Sequence, residues 1–332
     1  MQPPITHYKD EVVDNKSAED LINSELDKEA KITSAQSSTP ELKVLPVQKK
    51  DKKQTSSSSI VNAFKQKMSL NTTRIDLPSA GTSMEFKDIS GGIQKELSKI
   101  ALENDSRADI MYCAMLSMIN RLAVDPKFDI RDYSEFERIS IILTLQQINK
   151  MNPEIKFTCS KCGKENSYRL DTQKLLKKFS KTYKADTEIK VEVNGKEFTF
   201  VIGWSDVRNV EDFFKNYYKK YDNSSKSGKE TMNQLSQVEY ITMFIKSIRL
   251  TELSDPEDTM YADLSLLTYP ERVQILDSLP QTILYDDKEG VIAKIIENFV
   301  NPMNECFKYN DCSFCGAEQE GQLANMTDFM GY

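Results

Sequence analysis

The chain has 332 residues, of which 39% are hydrophobic and 29% charged, and its formal net charge is −7. This length is enough for one large domain or two smaller ones, and the acidic balance disfavours binding of the whole molecule to nucleic acid or anionic membranes. Because His7 is the one histidine of the sequence, a serine or cysteine nucleophile activated by histidine is not expected.

The N-terminal residues are predicted to be a tail. Residues 1–72 are rich in Ser, Lys, Thr, Asp and Glu and have almost no aromatic side chains. Such a segment buries too little apolar area to offset the entropy of ordering it. We expect a disordered or partner-docking tail with short helical stretches over 17–26 and 60–70. Neither a signal peptide nor an apolar run approaching the ~20 residues of a membrane span is predicted.

Residues 73–152 are predicted to form a helical subdomain. It begins at the turn-forming sequence Leu77-Pro78-Ser79-Ala80-Gly81, and a short strand is expected over residues 84–89. Apolar residues then recur with a helical period over 93–122 and again over 132–149. The second of these stretches is apolar on most sides, which indicates the buried central helix of the subdomain.

Two motifs with the pattern C-x-x-C-G lie far apart in the chain. Each brings two thiols into one tight turn, and the following glycine supplies the backbone freedom that such a turn needs. A tetrahedral structural zinc needs four ligands, so the two motifs together are predicted to close one all-thiolate Zn²⁺ site. The four ligands would be Cys159, Cys162, Cys312 and Cys315.

Other uses of the cysteines stay open. Either motif could be a catalytic dithiol, but such a motif sits where a strand enters a helix, and the residues after Cys162 alternate like a strand. The thiols could also be unmetallated or pair between molecules. Cys306 precedes the second motif outside its register and is an alternate ligand, whereas Cys113 lies among apolar residues and is interpreted as core.

The two motifs divide the rest of the chain into a split zinc ribbon and an insertion. Strands are expected on both sides of the first motif, so residues 153–171 and 306–332 are predicted to form the ribbon, and 172–305 one β-hairpin plus about four helices. The predicted fold class is α+β, mainly helical. The hairpin is expected over 188–203, where apolar residues alternate around Asn194-Gly195. Helices are expected over 204–217, 231–250, 263–279 and 286–299, and a strand or docking tail over 323–332.

Nine lysines and arginines lie between residues 156 and 184, opposed by Glu165 and Asp171 alone. We interpret them as the solvated face of a helix over 172–184, because base-stacking aromatic residues are not interleaved with the charges. The alternative is a zinc-ribbon nucleic-acid-binding protein or transcription factor. Its binding would depend on salt and would weaken on charge reversal in the basic helix, at Lys174, Lys177 and Lys178.

The order of these features resembles that of the baseplate hub assembly proteins of contractile-tailed phages of the T-even type. The resemblance spans residues 74–332. It rests on the turn at Leu77-Pro78-Ser79 with Gly81, the helices before the first motif, and the hairpin and helices between the motifs. The remaining matching residues are Phe157-Thr158-Cys159-Ser160-Lys161-Cys162-Gly163, Cys312-Ser313-Phe314-Cys315-Gly316 and Asp328-Phe329.

The resemblance implies a non-enzymatic structural or assembly protein that acts in formation of the baseplate hub. Its partners would be other tail proteins, with neither membrane nor nucleic acid among them. It would act in the host cytoplasm during assembly and could stay in the baseplate of the virion. The long N-terminal tail departs from the compact family pattern and would be a docking arm. The sequence also has no glycine-rich phosphate-binding loop and no carboxylate pair spaced for acid–base chemistry, so no enzyme is expected.

Overall fold

The computed structural model describes residues 71–103, 107–151, 153–222, 238–286 and 289–319. The predictions for the tail up to residue 70 and for residues 323–332 lie outside the described residues. None of the helices in the described part of the chain has the length and apolar composition that crossing a bilayer requires. All described residues belong to one compact unit that begins at Ser69.

A two-stranded hairpin comes first. β1 (Thr72–Leu77) pairs antiparallel with β2 (Thr82–Lys87). The turn between them ends at Gly81, whose φ of +61° is left-handed and favours glycine. The sequence predicts the turn and the second strand. The first strand is not evident from the sequence, because only two of its residues, Ile75 and Leu77, are apolar and buried.

Three helices follow: α1 (Gly91–Glu103), α2 (Ala108–Leu122) and α3 (Glu135–Ile148). α3 begins with a capping box made by Ser134 and Glu137. Eleven of its fourteen residues are buried, which confirms the prediction of a central buried helix. The Glu137 carboxylate also accepts a hydrogen bond from the Ser79 backbone N–H at 2.7 Å, so the turn of the first hairpin is tied to the start of α3.

A second hairpin carries the first cysteine motif. β3 (Glu154–Thr158) and β4 (Glu165–Arg169) are antiparallel, and the pairing of Thr158 with Glu165 leaves the motif at the tip. α4 (Thr172–Phe179) follows, and the Asp171 side chain caps it by accepting the Lys174 N–H at 2.9 Å.

The third sheet has four antiparallel strands, in sequence order across the sheet. The first two form the predicted hairpin, in which Asn194 and Gly195 have φ of +54° and +77°, as a type I′ turn requires. α5 (Val207–Asp222) separates this hairpin from the other two strands. The strands are β5 (Thr187–Val193), β6 (Lys196–Ile202), β7 (Ile245–Glu252) and β8 (Asp255–Asp263).

The prediction of a helix over 231–250 is wrong in its C-terminal part. Helical residues end at 242, and β7 begins at Ile245. Ile245 and Ile248 have a helical spacing, but the stretch also fits a strand, and pairing of Ile248 with Phe200 of β6 decides the outcome. β8 is polar and has no apolar alternation to reveal it. The segment between the motifs therefore contains a four-stranded sheet rather than one hairpin.

Short helices complete the described fold. The helix predicted over 286–299 begins later, at Val291, and continues through a π-helical turn (Ile296–Val300) to residue 306. The helical segment continues past Pro302 because this proline lies in the first turn after the π-helical turn, where its nitrogen does not have to donate a helical hydrogen bond. The helices are α6 (Tyr269–Asp277), α7 (Gln281–Tyr285), α8 (Val291–Ile295) and α9 (Asn301–Cys306).

One core joins the helices to the large sheet, and aromatic rings form its centre. The Phe179 ring of α4 stacks on Phe136 of α3 at a centroid distance of 4.8 Å and lies 5.9 Å from Trp204, next to β6. It also lies 5.8 Å from Phe307, just after α9. The fold is therefore α+β, and its core holds the chain before the second cysteine motif close to α4, which follows the first.

Candidate metal centre

The hairpin β3–β4 fixes the position of the first cysteine pair. Ile155 and Phe157 of β3 are buried. The Phe157 ring stacks on Tyr309 at a centroid distance of 4.8 Å, and Tyr309 stands three residues before Cys312. The strand that leads into the first motif thus packs directly on the segment that leads into the second.

The two motifs form turns with the same hydrogen-bond pattern. In the first, the Gly163 N–H donates to the Cys159 carbonyl at 2.9 Å, and the Cys159 N–H donates to the Lys164 carbonyl at 3.0 Å. The second motif repeats these bonds, from Gly316 to Cys312 at 2.8 Å and from Cys312 to Ala317 at 2.9 Å. Gly163 and Gly316 have φ of +68° and +65°, which explains why glycine follows each cysteine pair.

The structure brings all four predicted ligands together. Their sulfur atoms lie within 4.8 Å of one another. The closest approaches between motifs are 3.8 Å from Cys159 to Cys315 and 3.6 Å from Cys162 to Cys312. Disulfide sulfurs would be about 2.05 Å apart, and the cysteines are free thiols. The group is therefore a four-thiol cluster that could hold a metal ion.

The first cysteine of each motif is buried and favours the thiolate. Backbone N–H groups of Cys162 and Lys161 point at the Cys159 sulfur and lower the pKa of its thiol. For Cys312, burial acts to raise the pKa, but the N–H groups of Phe314 and Cys315 and the Asn166 amide outweigh it and lower the pKa to about 6. Hydrogen bonds to a charged form stabilise that form, so these contacts shift both thiols towards the thiolate, the form in which cysteine binds metals.

The second cysteine of each motif is exposed. The Ala317 N–H acts to lower the pKa of Cys315, but desolvation of its sulfur by the cluster and hydrogen bonds with the three neighbouring sulfurs raise the pKa to about 11. Several thiolates this close together repel one another, so a cation among them is needed before all four can ionise.

Two side-chain amides cross between the motifs. Asn166, on β4 after the first motif, donates to the Cys312 sulfur at 3.5 Å and accepts the Ser313 N–H at 2.9 Å. Gln319, after the second motif, donates to the Cys159 sulfur at 3.5 Å and accepts the Ser160 N–H at 3.3 Å. Both residues are buried. Each motif thus supplies the amide that orients the buried sulfur of the other.

The sequence contains a signal for these amides that the C-x-x-C-G pattern does not include. The similarity of the motifs extends beyond the glycine: residues 159–166 read C-S-K-C-G-K-E-N and residues 312–319 read C-S-F-C-G-A-E-Q. Each amide stands seven residues after the first cysteine of its motif. The eight-residue repeat matches the pseudo-symmetric exchange of hydrogen bonds in the structure.

The other two cysteines lie outside the cluster. Cys306 is half-buried on α9, where its thiol donates to the Pro302 carbonyl at 3.3 Å, so the structure does not place it as an alternate ligand. Cys113 is buried on α2 with its sulfur 3.5 Å from a Glu211 carboxylate oxygen. Burial raises the pKa of Cys113 to about 12, which agrees with its interpretation as a core residue.

Of the nine lysines and arginines between residues 156 and 184, three make side-chain contacts within the fold. Lys164 lies 4.7 Å from the centre of the Phe314 ring and thereby joins the two motifs. Lys178 donates to the Glu305 carbonyl, and Lys184 donates to Asn298 at 2.9 Å. These contacts attach α4 and the residues after it to the last helical segment.

Comparison of the chain with protein-family models, with curated proteins and with solved structures finds no match.

Proposed function

We propose that Cys159, Cys162, Cys312 and Cys315 bind one structural Zn²⁺ ion. Four sulfurs about 2.3 Å from a tetrahedral zinc lie about 3.8 Å from one another, and the closest approaches between the motifs are 3.6 and 3.8 Å. All four donors are sulfurs, as in closed structural sites, which leave no position for a substrate or a reactive water.

We further propose that the chain is a non-enzymatic structural or assembly protein of a contractile phage tail, acting in baseplate hub formation. The observation that carries this proposal is the meeting of two motifs, with Cys162 and Cys312 standing 150 residues apart in the chain, because the resemblance rests on the order and spacing of its motifs. A metal held there would clamp the ends of residues 172–305, so that the surfaces of this segment keep a fixed relation for partners. Those partners would be other tail proteins, met in the host cytoplasm.

The nucleic-acid alternative has weaker support. It depends on the basic residues between 156 and 184, and three of these lysines are engaged within the fold. The exposed Phe314 ring, which could stack on a base, already carries Lys164 over it. Binding of nucleic acid that disappears on charge reversal at Lys174 and Lys177 would favour the alternative.

Affinity isolation of the tagged full-length chain from phage-infected cells tests the proposal. We expect other baseplate or tail proteins to be recovered after nuclease treatment and identified by mass spectrometry. Uninfected cells containing the same tagged chain are the control. Recovery of RNA polymerase without any tail protein, or of nucleic acid alone when the nuclease is omitted, would contradict the proposal and favour the alternative.

The amides that cross between the motifs give a second test, independent of any partner. Asn166→Ala and Gln319→Ala are each expected to lower the affinity for Zn²⁺ about 10- to 100-fold, since groups that orient metal ligands have effects of this size. Competition with a chromophoric chelator measures the affinity. Asn298→Ala is the matched control, because this amide bonds Lys184 rather than a sulfur. Unchanged affinity in both test variants would show that the amides do not support the site.

A further inference from the structure

Exposed apolar side chains gather on β8 and its flanks. Seven large hydrophobic side chains are exposed in the described residues, and four of them lie between residues 253 and 266. They are Leu253, Met260, Tyr261 and Leu266, with exposed fractions of 47%, 70%, 61% and 82%. Because Met260 and Tyr261 are consecutive residues of a strand, they point to opposite faces of the sheet, so each face of this strand carries a large exposed apolar side chain.

β8 is also an edge strand. It is the last strand of the sheet, with β7 on one side and no strand on the other among the described residues. A row of apolar side chains crosses the sheet through paired residues and ends at Met260. A further strand would continue this row. The row consists of Val191, Phe198, Leu250 and Met260.

The free edge has a regular stretch for pairing. Thr259–Asp263 pairs residue by residue with Ser247–Thr251, and the register shifts beyond Thr251. On the outer side of such a strand, every second residue points its N–H and C=O groups away from the sheet. Pro256 lacks an N–H and lies before this stretch, so an added strand would pair with the C-terminal half of β8.

The negative charge of β8 determines which kind of strand can bind beside it. The strand carries Asp255, Glu257, Asp258 and Asp263 and has no lysine or arginine. A second copy of β8 would add four more carboxylates at this edge, and repulsion between like charges disfavours that arrangement. A strand with lysine or arginine side chains would instead be attracted to this edge.

We propose that the β8 edge binds a basic, extended segment of another protein as a fifth strand of the sheet. Backbone hydrogen bonds to Thr259–Asp263 supply affinity, as in other cases of strand addition. An apolar side chain of the segment extends the row at Met260, and its basic side chains face the carboxylates of β8. The acidic side chains and Pro256 meanwhile disfavour acidic or uncharged strands. This surface goes beyond the proposed function and does not depend on the identity of the metal.

The test uses the intact chain and a fluorescent peptide of alternating lysine and valine as the probe. We expect fluorescence anisotropy to show binding that falls at least about tenfold in Met260→Asp, a change of about 1.4 kcal/mol. The double variant Glu257→Lys with Asp258→Lys is expected to weaken binding by a similar factor. Because these side chains are exposed, the midpoint temperature of thermal unfolding should be the same in the variants as in the wild type.

Matched controls separate strand addition from simple charge attraction. Val124→Asp changes an exposed apolar residue elsewhere, and Glu188→Lys with Glu192→Lys reverses two charges on the opposite edge strand, β5; neither should weaken binding. The same peptide with an N-methyl group on every residue keeps its charge but loses the backbone donors of both edges, and we expect it not to bind. The proposal would be overturned if the N-methylated peptide bound as tightly as the unmethylated one, or if the β5 variant lost as much peptide affinity as the β8 variants. Dimerisation of the chain that Met260→Asp abolishes would also overturn it.

Discussion

Cys162→Ser and Cys312→Ser are each expected to yield insoluble protein, whereas Cys306→Ser and Cys113→Ser stay soluble. The first two substitutions each remove one of the four proposed ligands and leave three close thiols. Metal binding at structural zinc sites contributes a free energy comparable to the whole net stability of a domain. Without the proposed Zn²⁺, the two ends of residues 172–305 would lose their cross-link. The soluble fraction after expression under identical conditions measures the effect.

The control variants change thiols outside the cluster. Cys306 bonds a backbone carbonyl of its own helix, and Cys113 lies near Glu211 on α2. Metal content completes the test: we expect about one zinc per wild-type chain, bound through four sulfurs. Equal solubility of all four variants would contradict the clamp. Purified wild-type protein that contains iron instead of zinc would contradict the identity of the ion, and protein that contains no metal would contradict the metal site itself.

Glu135→Ala is expected to lower the free energy of unfolding by about 3–5 kcal/mol, the usual effect of removing one partner of a buried ion pair. Glu135 and Arg138 are both buried on α3, 2.7 Å apart. Although burial acts to lower the pKa of Arg138, the Glu135 carboxylate raises it, so the guanidinium stays charged. The Tyr112 hydroxyl also donates to Glu135 and would be left with the Val207 carbonyl, at 3.4 Å, as its acceptor. Urea unfolding measures the change.

A matched control and a double variant complete this experiment. Glu96→Ala breaks the partly exposed pair with Arg121, whose atoms are 2.7 Å apart, and should cost no more than about 1 kcal/mol. Glu135→Leu combined with Arg138→Met removes both charges and should be more stable than Glu135→Ala. If Glu135→Ala and Glu96→Ala prove equally stable, the buried pair does not carry the stability assigned to it.

The sequence predicts correctly those helices and turns that are determined by residues close together in the chain. The hairpin at Asn194-Gly195 and the buried helix α3 are confirmed, because a left-handed turn and a helical apolar period depend on nearby residues. β7 and β8 were not predictable in this way. The residues of β7 fit two periods, and its pairing partner, β6, lies more than 40 residues earlier in the chain. β8 is polar, so only its neighbour on the sheet makes it a strand.

The same distinction holds for the metal centre. Cysteine spacing identified the four thiols, because two thiols in one turn are a local feature. Asn166 and Gln319 act across 146 and 160 residues of sequence, and the amides are not part of the cysteine pattern. The repeat of eight residues is visible in the sequence, but its meaning depends on the two motifs lying face to face, which is a property of the fold.

The exchange of amides has a consequence for synthesis on the ribosome. Each half of the site is incomplete until the other arrives, and Cys162 and Cys312 are 150 residues apart. At a translation rate of ~5–20 residues per second, the first half waits roughly 8 to 30 s for its counterpart. During that interval Cys159 and Cys162 are reduced thiols without Cys312 and Cys315 beside them. A nascent chain that stalls before Cys312 would therefore carry two thiols that are accessible to oxidants and to other metal ions.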